Sequence, residues 1–538
     1  MSLPPEQIVQ SDPSATADIP PKTSRFSSLS RQHTAGSAAI LLMLSAIASG
    51  ALGLLRIKYI NFLFGAGAAQ DAYRAAFALP DLLTYFLIGG AASISLITIL
   101  NRHFEAGDDT GADHALSVIL NNMLLVLGAG VLLAEILAPQ YVWLANSGFR
   151  HDPTRLALCV TMTRIILPAQ MFFFLGSVMG ARLQVRKIFI YQALAQPLYP
   201  LGIIAGAFFL HRLMGVSSLS VGVLAGMFFG YGVLNTVAAL RQGLRYKAVV
   251  DFRNPAFREW LRLSLPLMIG VSLVMFDKQF IFYFASNVVG GITLIGNAKD
   301  LFNAPFNVIG PATGAASLPF FASLFQQKRH HDFSASVSRS VSRLLAVGML
   351  VSSWMIALAP WLMDLLRGGH FHRADAAAIT GLFRVLAISL ALWAVQGIYA
   401  RAFYAASDTK TPAITGSLIT VLSVPVYAGL FHLTGLRGLA IASDLGMLAQ
   451  TAVLAVLLHR KRLVSLGDLE FGELGRALVA AAVAFAATAG ATRFLPGVST
   501  YAKDMLTIAA GSAVWAGSAA ALLLATRSRL PRQILRRK

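Results

Sequence analysis

The chain has 538 residues, of which 56% are apolar and only 13% charged, and its mean hydropathy is +0.66. An ordinary soluble domain carries about 25% charged residues, so a soluble globular enzyme is excluded. The net charge of +20 is not a nucleic-acid signature, because the basic residues cluster in short loops between apolar stretches. Backbone groups find no water in a lipid core, so helices are the expected spanning form and the fold class is an all-α polytopic membrane protein.

Residues 1–34 are polar, rich in Pro, Ser and Thr, and contain no apolar core of a signal peptide, so a disordered cytoplasmic tail is expected there. Apolar stretches then predict about fourteen transmembrane helices, roughly 35–56, 72–100, 114–138, 155–180, 188–211, 217–240, 262–286, 292–322, 340–366, 376–400, 411–433, 436–458, 475–496 and 504–526. Two six-helix lobes follow, 35–245 and 258–462, with two further helices over 473–527 and a basic cytoplasmic tail over 528–538. The last two spans are rich in Ala and Gly, as in Ala480-Ala481-Ala482 and Ala519-Ala520-Ala521. Such residues either permit close packing or leave a shallow groove for a lipid chain.

Under this topology about 29 of the Lys and Arg fall on the side shared by both termini and about 10 on the other, which puts both termini in the cytoplasm. Arg74, Arg164, Lys278, Lys299 and Arg384 lie inside spans or at their edges. The single cysteine, Cys159, excludes an intramolecular disulfide and is expected to pack in the fourth span. The histidine pairs His330-His331 and His370-Phe371-His372 fall in loops and are expected to be solvated. No metal site or cofactor is expected, and no coupling ion is assigned.

A short segment occurs twice. Arg74-Ala-Ala-Phe77-Ala-Leu-Pro80 is followed by Gly90-Ala91-Ala92-Ser93, and Lys299-Asp300-Leu-Phe-Asn-Ala-Pro305 by Gly314-Ala315-Ala316-Ser317. Ala181-Arg182 and Ala400-Arg401 extend the repeat. Six spans per half leave both halves running the same way, related by an axis along the membrane normal. A duplicated cation at membrane depth is costly and points to an internal cavity with an anionic cargo. Pro80, Gly90, Pro305 and Gly314 are candidate hinges, since proline frees a carbonyl and glycine lets a helix bend.

The other intramembrane charges suggest pairings. Asp71 stands three residues before Arg74, within reach on a helix. In Asp277-Lys278 and Lys299-Asp300 neighbouring side chains point about 100° apart, so cross-pairing of Asp277 with Lys299, or of Lys278 with Asp300, is the better geometry. Arg56 and Lys58 either snorkel to the interface or face the cavity. Arg164 and Arg384 occupy corresponding places and are expected to pair structurally, Glu135 to be interfacial, and Asp444 to sit at a helix edge. No P-loop, Gly-x-Ser-x-Gly elbow, His-Glu-x-x-His or carboxylate pair suited to catalysis occurs, which leaves a transporter without a built-in nucleotidase. Rocking of the two halves is the expected motion.

At these residues the sequence resembles the MurJ/MviN lipid II flippases of the multidrug/oligosaccharidyl-lipid/polysaccharide exporter superfamily. Phe64-Gly65-Ala66-Gly67, Asp71-Ala72-Tyr73, Ala76-Phe77 and Pro80 are close to the family's Phe-Gly-x-Gly-x-x-x-Asp-Ala-Phe-x-x-Ala-Phe-x-x-Pro. Ala298 to Pro305, Gly314, Leu318-Pro319, Phe403-Tyr404 and Asp408-Thr409-Lys410-Thr411-Pro412 are similar to its later landmarks. The resemblance implies fourteen helices, a central cationic cavity between two lobes, and a groove for the undecaprenyl tail at the last two spans. It also implies transfer of lipid-linked peptidoglycan precursor to the periplasmic leaflet, with the pyrophosphate held by basic residues of spans one, two, seven and eight.

Several family positions are altered. The first-span Ser-Arg-x-x-Gly-x-x-Arg reads Ser49-Gly50 and then Gly53 to Arg56, so one arginine remains. The basic pair of the second span is Thr84-Tyr85, the acid before Gly-Ala is Gly89, and Ala298-Lys299-Asp300 reverses the charge order of Ala-Asp-Arg. The eleventh span reads Val421-Leu422-Ser423 where some members hold sodium with acidic or amide groups.

The reading is therefore a monomeric flippase of the bacterial inner membrane, handling an undecaprenyl-pyrophosphate-linked glycan and no nucleic acid. Arg56, Arg74, Lys278 and Lys299 would engage the pyrophosphate, and Asp71, Asp277 and Asp300 would orient those cations. The alternatives are a flippase for another lipid-linked oligosaccharide, a cation-coupled drug exporter, and a non-transporting scaffold.

Overall fold

A computed structural model of the chain describes residues 35–85, 89–268, 273–494 and 500–531; the expected tail over 1–34 and the end of the basic tail, 532–538, lie outside them. Of the described residues 85% are helical, and none of them is in a strand. Among the described residues, eleven helical segments are long and apolar enough to cross a membrane. Of the other three expected spans, 72–100 and 262–286 include residues outside the described ones, and 292–322 falls within the long helix Gly291–Gln326.

The first half consists of α1 (Ala35–Phe64), α2 (Ala68–Ala75), α3 (Ala78–Leu83), α4 (Gly89–Glu105), α5 (Asp109–Ala145), α6 (Pro153–Ile166), α7 (Ala169–Val185), α8 (Ile190–Met214), α9 (Ser217–Met227) and α10 (Leu234–Arg241). The breaks within spans have local causes. Pro80 has no N–H to give Ala76, and the chain turns at Ala76-Phe77 before α3 begins. Pro168 likewise separates α6 from α7, and a π-turn over Phe228–Val233, containing Gly230 and Gly232, separates α9 from α10.

The second half consists of α11 (Pro255–Met268), α12 (Leu273–Ala285), α13 (Gly291–Gln326), α14 (His330–Asp364), α15 (Arg373–Ile388), α16 (Leu390–Ala405), α17 (Lys410–Thr434) and α18 (Leu436–Arg460), followed by α19 (Phe471–Thr492) and α20 (Tyr501–Ala525). The two copies of the repeated segment differ in backbone. Pro80 lies at a helix break, whereas α13 continues through Pro305 and Gly314. Gly90 lies within α4.

In the first half α8 packs on α9 and on α1, and α2 packs on α6; in the second, α14 packs on α15 and α16, and α17 on α18. Amphipathic α11 packs on α4 and α5, and its Phe257 and Trp260 belong to a core cluster of first-half residues. The segment before it is stitched to α5: Asn121 donates to the carbonyls of Lys247 and Val249, and Asn122 exchanges hydrogen bonds with Asp251. Buried Arg182 pairs bidentately with Asp113 at 2.8 and 3.3 Å, and Asp113 also accepts the Arg245 N–H. The hairpin α19–α20 rests on α14 through Ala477, Ala480, Ala481, Ala484 and Ala519. Beside that contact runs an apolar groove of about 270 Å³ lined by Leu350, Trp515, Ala519 and Leu523. Large apolar side chains such as Ile136, Phe209, Ile388 and Val421 are exposed, as lipid-facing residues should be.

Candidate functional site

A cavity of about 570 Å³ lies where α1, α2, α3 and α8 of the first half meet α12, α13 and α16 of the second. Arg56, Arg74, Lys278 and Lys299 all line it, together with Asp81, Asp277 and Asp300. Each expected cation therefore reaches one chamber, though they arise from helices up to 243 residues apart in sequence (299 minus 56).

The charges are crossed between the halves. Arg74 of α2 donates to Asp300 of α13 at 2.9 Å and to the Asn297 side-chain oxygen. Lys278 of α12 reaches back to Asp81 of α3 at 2.7 Å. Lys299 pairs with Asp277 inside the second half, with its ammonium 5.3 Å from the Trp393 ring centre. The Tyr427 hydroxyl also donates to Asp277. Gly296 makes room for the Arg74 guanidinium, since a Cβ there would stand 2.7 Å from Arg74 Nη1.

Arg56 differs from the other three. No carboxylate forms an ion pair with it among the described residues; its guanidinium lies 5.9 Å from the Tyr199 ring centre, and its Nε is buried without a hydrogen-bond partner. A cation so placed can meet an incoming anion without first releasing a carboxylate.

Of the pairings expected from sequence, Asp277 with Lys299 is formed and Lys278 with Asp300 is not: each of the latter binds a residue of the first half instead. Asp71 needs correction as a partner of Arg74. It is fully buried and accepts from the Gly290 N–H (2.6 Å), the Thr293 N–H (2.8 Å) and the Thr293 hydroxyl (2.8 Å). The unpaired amides at the start of α13 and the positive end of its dipole outcompete a guanidinium one turn away. Lys58 lies over the Tyr501 ring at 3.8 Å. Arg164 donates to the Glu135 carbonyl and Arg384 to the Ile356 carbonyl, so both brace the preceding span. Asp444 accepts from Ser389 at the α15–α16 break, and Cys159 is buried. His370 joins the end of α1 through its N–H, bonded to the Phe62 carbonyl, and His372 caps α15. Asp81, Asn297, Tyr427 and Trp393 were given no role by sequence; all four take their meaning from residues far away in the chain.

Successive spans alternate in direction, so the ends of α1 and α12 and the starts of α2, α6 and α13 share the side away from the termini. There the halves are sealed. Ser147 donates to the Tyr283 carbonyl at 2.8 Å, the Gly148 N–H to Ser286 Oγ at 2.9 Å, and buried Arg155 to the Ser286 carbonyl at 3.3 Å. Gly290, at φ +80°, lies close against the Ala66 carbonyl, an approach that a side chain would obstruct. A charged chamber sealed on one side between two half-molecules is the geometry of a carrier.

The sequence profile of the lipid II flippase MurJ family matches residues 60–508. The chain belongs to the lipid II flippase MurJ family. It is 29% identical over 433 residues to the lipid II flippase MurJ of Burkholderia cenocepacia, covering 76% of this chain and 81% of that one. To the probable lipid II flippase MurJ of Borreliella burgdorferi it is 22% identical over 411 residues, covering 76% and 80%. In fold it matches a solved lipid II flippase MurJ in an inward closed conformation, with a TM-score of 0.71 and 19% identity, over 92% of this chain and all of the other. It also matches an inward-facing multidrug resistance transporter of the MATE family, of the MOP superfamily, at TM-score 0.61 and 15% identity, over 78% and 94%. MurJ membership makes this a multi-pass membrane protein of a lipid-flippase family, and the fold is also similar to that MATE-family transporter.

Proposed function

We propose that this chain carries lipid II across the bacterial inner membrane by alternating access, as a transporter rather than a catalyst. The observation that carries this reading is the chamber itself, with four cations from both halves, three of them held by carboxylates. A pyrophosphate entering it meets Arg56 first and then exchanges with Asp300 on Arg74 and with Asp81 on Lys278. Those two ion pairs bridge the halves. Replacing the carboxylates with a mobile anion frees the halves to rock, while the anion repays the cations' loss of partners.

In this reading residues 35–245 and 258–462 are the moving lobes, and the break at Pro80 is the hinge that lets α3 follow its cargo. The groove between α14 and α20 is where the undecaprenyl chain lies. Both termini face the cytoplasm, in keeping with the basic loops on their side. A monomer suffices, since the chamber is built within one chain.

Depleting the resident lipid II flippase of a bacterium and expressing this chain tests the proposal. Sustained growth is expected, and lost with Arg56→Ala at equal membrane abundance. A second reading, another lipid-linked saccharide, is favoured by one feature: carboxylates that leave the chamber less cationic than four basic residues alone would make it. Failure of complementation alongside rescue of an exopolysaccharide or O-antigen flippase defect would select it.

A further inference from the structure

Toward the sealed side of the chamber, three carboxamide side chains from both halves form one chain of hydrogen bonds. Arg74 of α2 donates to Asn297 Oδ1 of α13, and Asn297 Nδ2 donates to Asn61 Oδ1 of α1 at 3.1 Å. Gln70 Nε2 of α2 donates to the same Asn61 oxygen at 2.8 Å. Asn61 and Asn297 are 0% exposed and Gln70 1%, and Gln70 lines the chamber with Arg74.

The direction of this chain is fixed from its charged end. A guanidinium only donates, so Asn297 must turn its oxygen to Arg74 and its nitrogen to Asn61. Asn61 then presents its oxygen, and Gln70 must answer with its nitrogen. Two groups are left over, the Asn61 Nδ2 donor and the Gln70 Oε1 acceptor, both buried and without a hydrogen-bond partner. Protein interiors pair such groups because leaving them unpaired is costly. An orphaned donor beside an orphaned acceptor, against a chamber wall, is the mark of a binding site.

The two orphans sit on separate side chains, so the group that fits them carries its acceptor and its donor on separate atoms. A secondary amide does this: its C=O accepts from Asn61 and its N–H donates to Gln70. A hydroxyl carries both functions on one oxygen. The position agrees with the chemistry. Gln70 stands four residues before Arg74 on α2, so the two share a helix face about 6 Å apart along the axis. A phosphate held by Arg74 therefore sets the first sugar carbons beside the carboxamides.

We propose that Asn61, Gln70 and Asn297 form a sugar-reading subsite, which takes the acetamido group of a pyrophosphate-linked N-acetyl sugar while Arg74 holds the phosphate. The proposal rests on the reading of the chamber as a pyrophosphate site. In the sealed form the carboxamides are closed over. Phosphate that draws Arg74 from Asp300 and Asn297 releases the fixed end of the chain, and the three side chains can then turn toward the sugar. A sugar with a hydroxyl in place of the acetamido group leaves one of the orphans unpaired and is disfavoured.

The test uses the purified full chain in lipid nanodiscs and three probes: a short polyprenyl pyrophosphate carrying N-acetylglucosamine, its counterpart carrying glucose, and the bare polyprenyl pyrophosphate. The unaltered chain should bind the N-acetylglucosamine lipid about tenfold more tightly than the glucose lipid. Gln70→Met and Asn61→Leu should each bring those two affinities to within about twofold, by weakening the N-acetylglucosamine lipid. Cross-bracing of the halves alone would lower the melting temperature of the variants and leave the preference where it was. Equal binding of the two sugars by the unaltered chain, or a preference that survives Gln70→Met, would overturn the subsite while the chamber reading stands. Bare pyrophosphate that fails to bind, or binds as well after Arg56→Ala, would take the chamber reading down with it.

Discussion

Gly148→Ala tests the seal on the side away from the termini. A Cβ at Gly148 would stand 2.1 Å from the Ser286 carbonyl oxygen, 2.3 Å from its carbon and 2.5 Å from the Asn287 nitrogen. All three are backbone atoms and cannot rotate away, while ordinary contact needs about 3.5 Å, so the halves must separate by more than about 1 Å there. Gly148 has no positive φ, so alanine adds no backbone strain of its own. Overpacking costs about 1–3 kcal/mol, and loss of the Gly148–Ser286 hydrogen bond about 1 kcal/mol more. A penalty of about 2–4 kcal/mol on the sealed form shifts the open-to-sealed ratio by roughly 30- to 800-fold. Asn303 lines the chamber. A cysteine placed there, in a Cys159→Ala background, should react slowly with an impermeant maleimide added from that side, and much faster once Gly148→Ala is introduced. Equal labelling with and without the substitution would show that the Gly148–Ser286 contact does not hold that side closed.

Three further outcomes follow from the charges. Lys299→Met leaves Asp277 buried opposite an apolar side chain and should destabilise the protein by about 3–5 kcal/mol, seen as a lower melting temperature in detergent; adding Asp277→Asn should restore most of it without restoring transport. Arg74→Ala and Asp300→Ala should each weaken the union of the halves, and a double-mutant cycle on melting should show coupling of about 1–3 kcal/mol, whereas additive losses would mean the pair is idle. Asp408 precedes α17; burial pushes its pKa up, but hydrogen bonds from Lys461 (2.5 Å) and Thr411 pull it down further, to about 2. Its folded value lies below its unfolded one, so its stabilisation of at most about 2 kcal/mol is present above about pH 4 and lost as pH falls through about 2. Melting curves between pH 5 and 2 should show that slope, and Asp408→Asn should flatten it.

Much of the architecture was legible because membranes impose simple rules. Eleven of the expected runs of about 20 apolar residues fall on helices long and apolar enough to span, and the lipid exposure of residues such as Ile136 and Val421 follows from the same composition. The duplicated Arg74 and Lys299 segments located the chamber correctly, since a cation at membrane depth is too costly to keep unless it faces a partner or a cavity. Partner choice was not legible. Asp71 stands one turn from Arg74, yet it caps a helix that begins some 220 residues later, because free amides at a helix start cannot be read from local spacing. Lys278 reaches Asp81, not Asp300, for the same reason: the partner is set by how two halves pack. The repeat itself did not foretell that α13 would run unbroken where its counterpart divides at Pro80.

In the mechanism proposed, the chamber passes a lipid pyrophosphate from one leaflet to the other. The most direct measurement follows lipid II itself: in cells depleted of their own flippase, the fraction accessible at the outer leaflet is quantified with this chain expressed, with Arg56→Ala, and with no transporter. Outer-leaflet lipid II should be restored by the unaltered chain and stay near the no-transporter level with Arg56→Ala. Equal restoration by both would remove the chamber from the mechanism, and restoration by neither, at full membrane abundance, would contradict lipid II as the cargo.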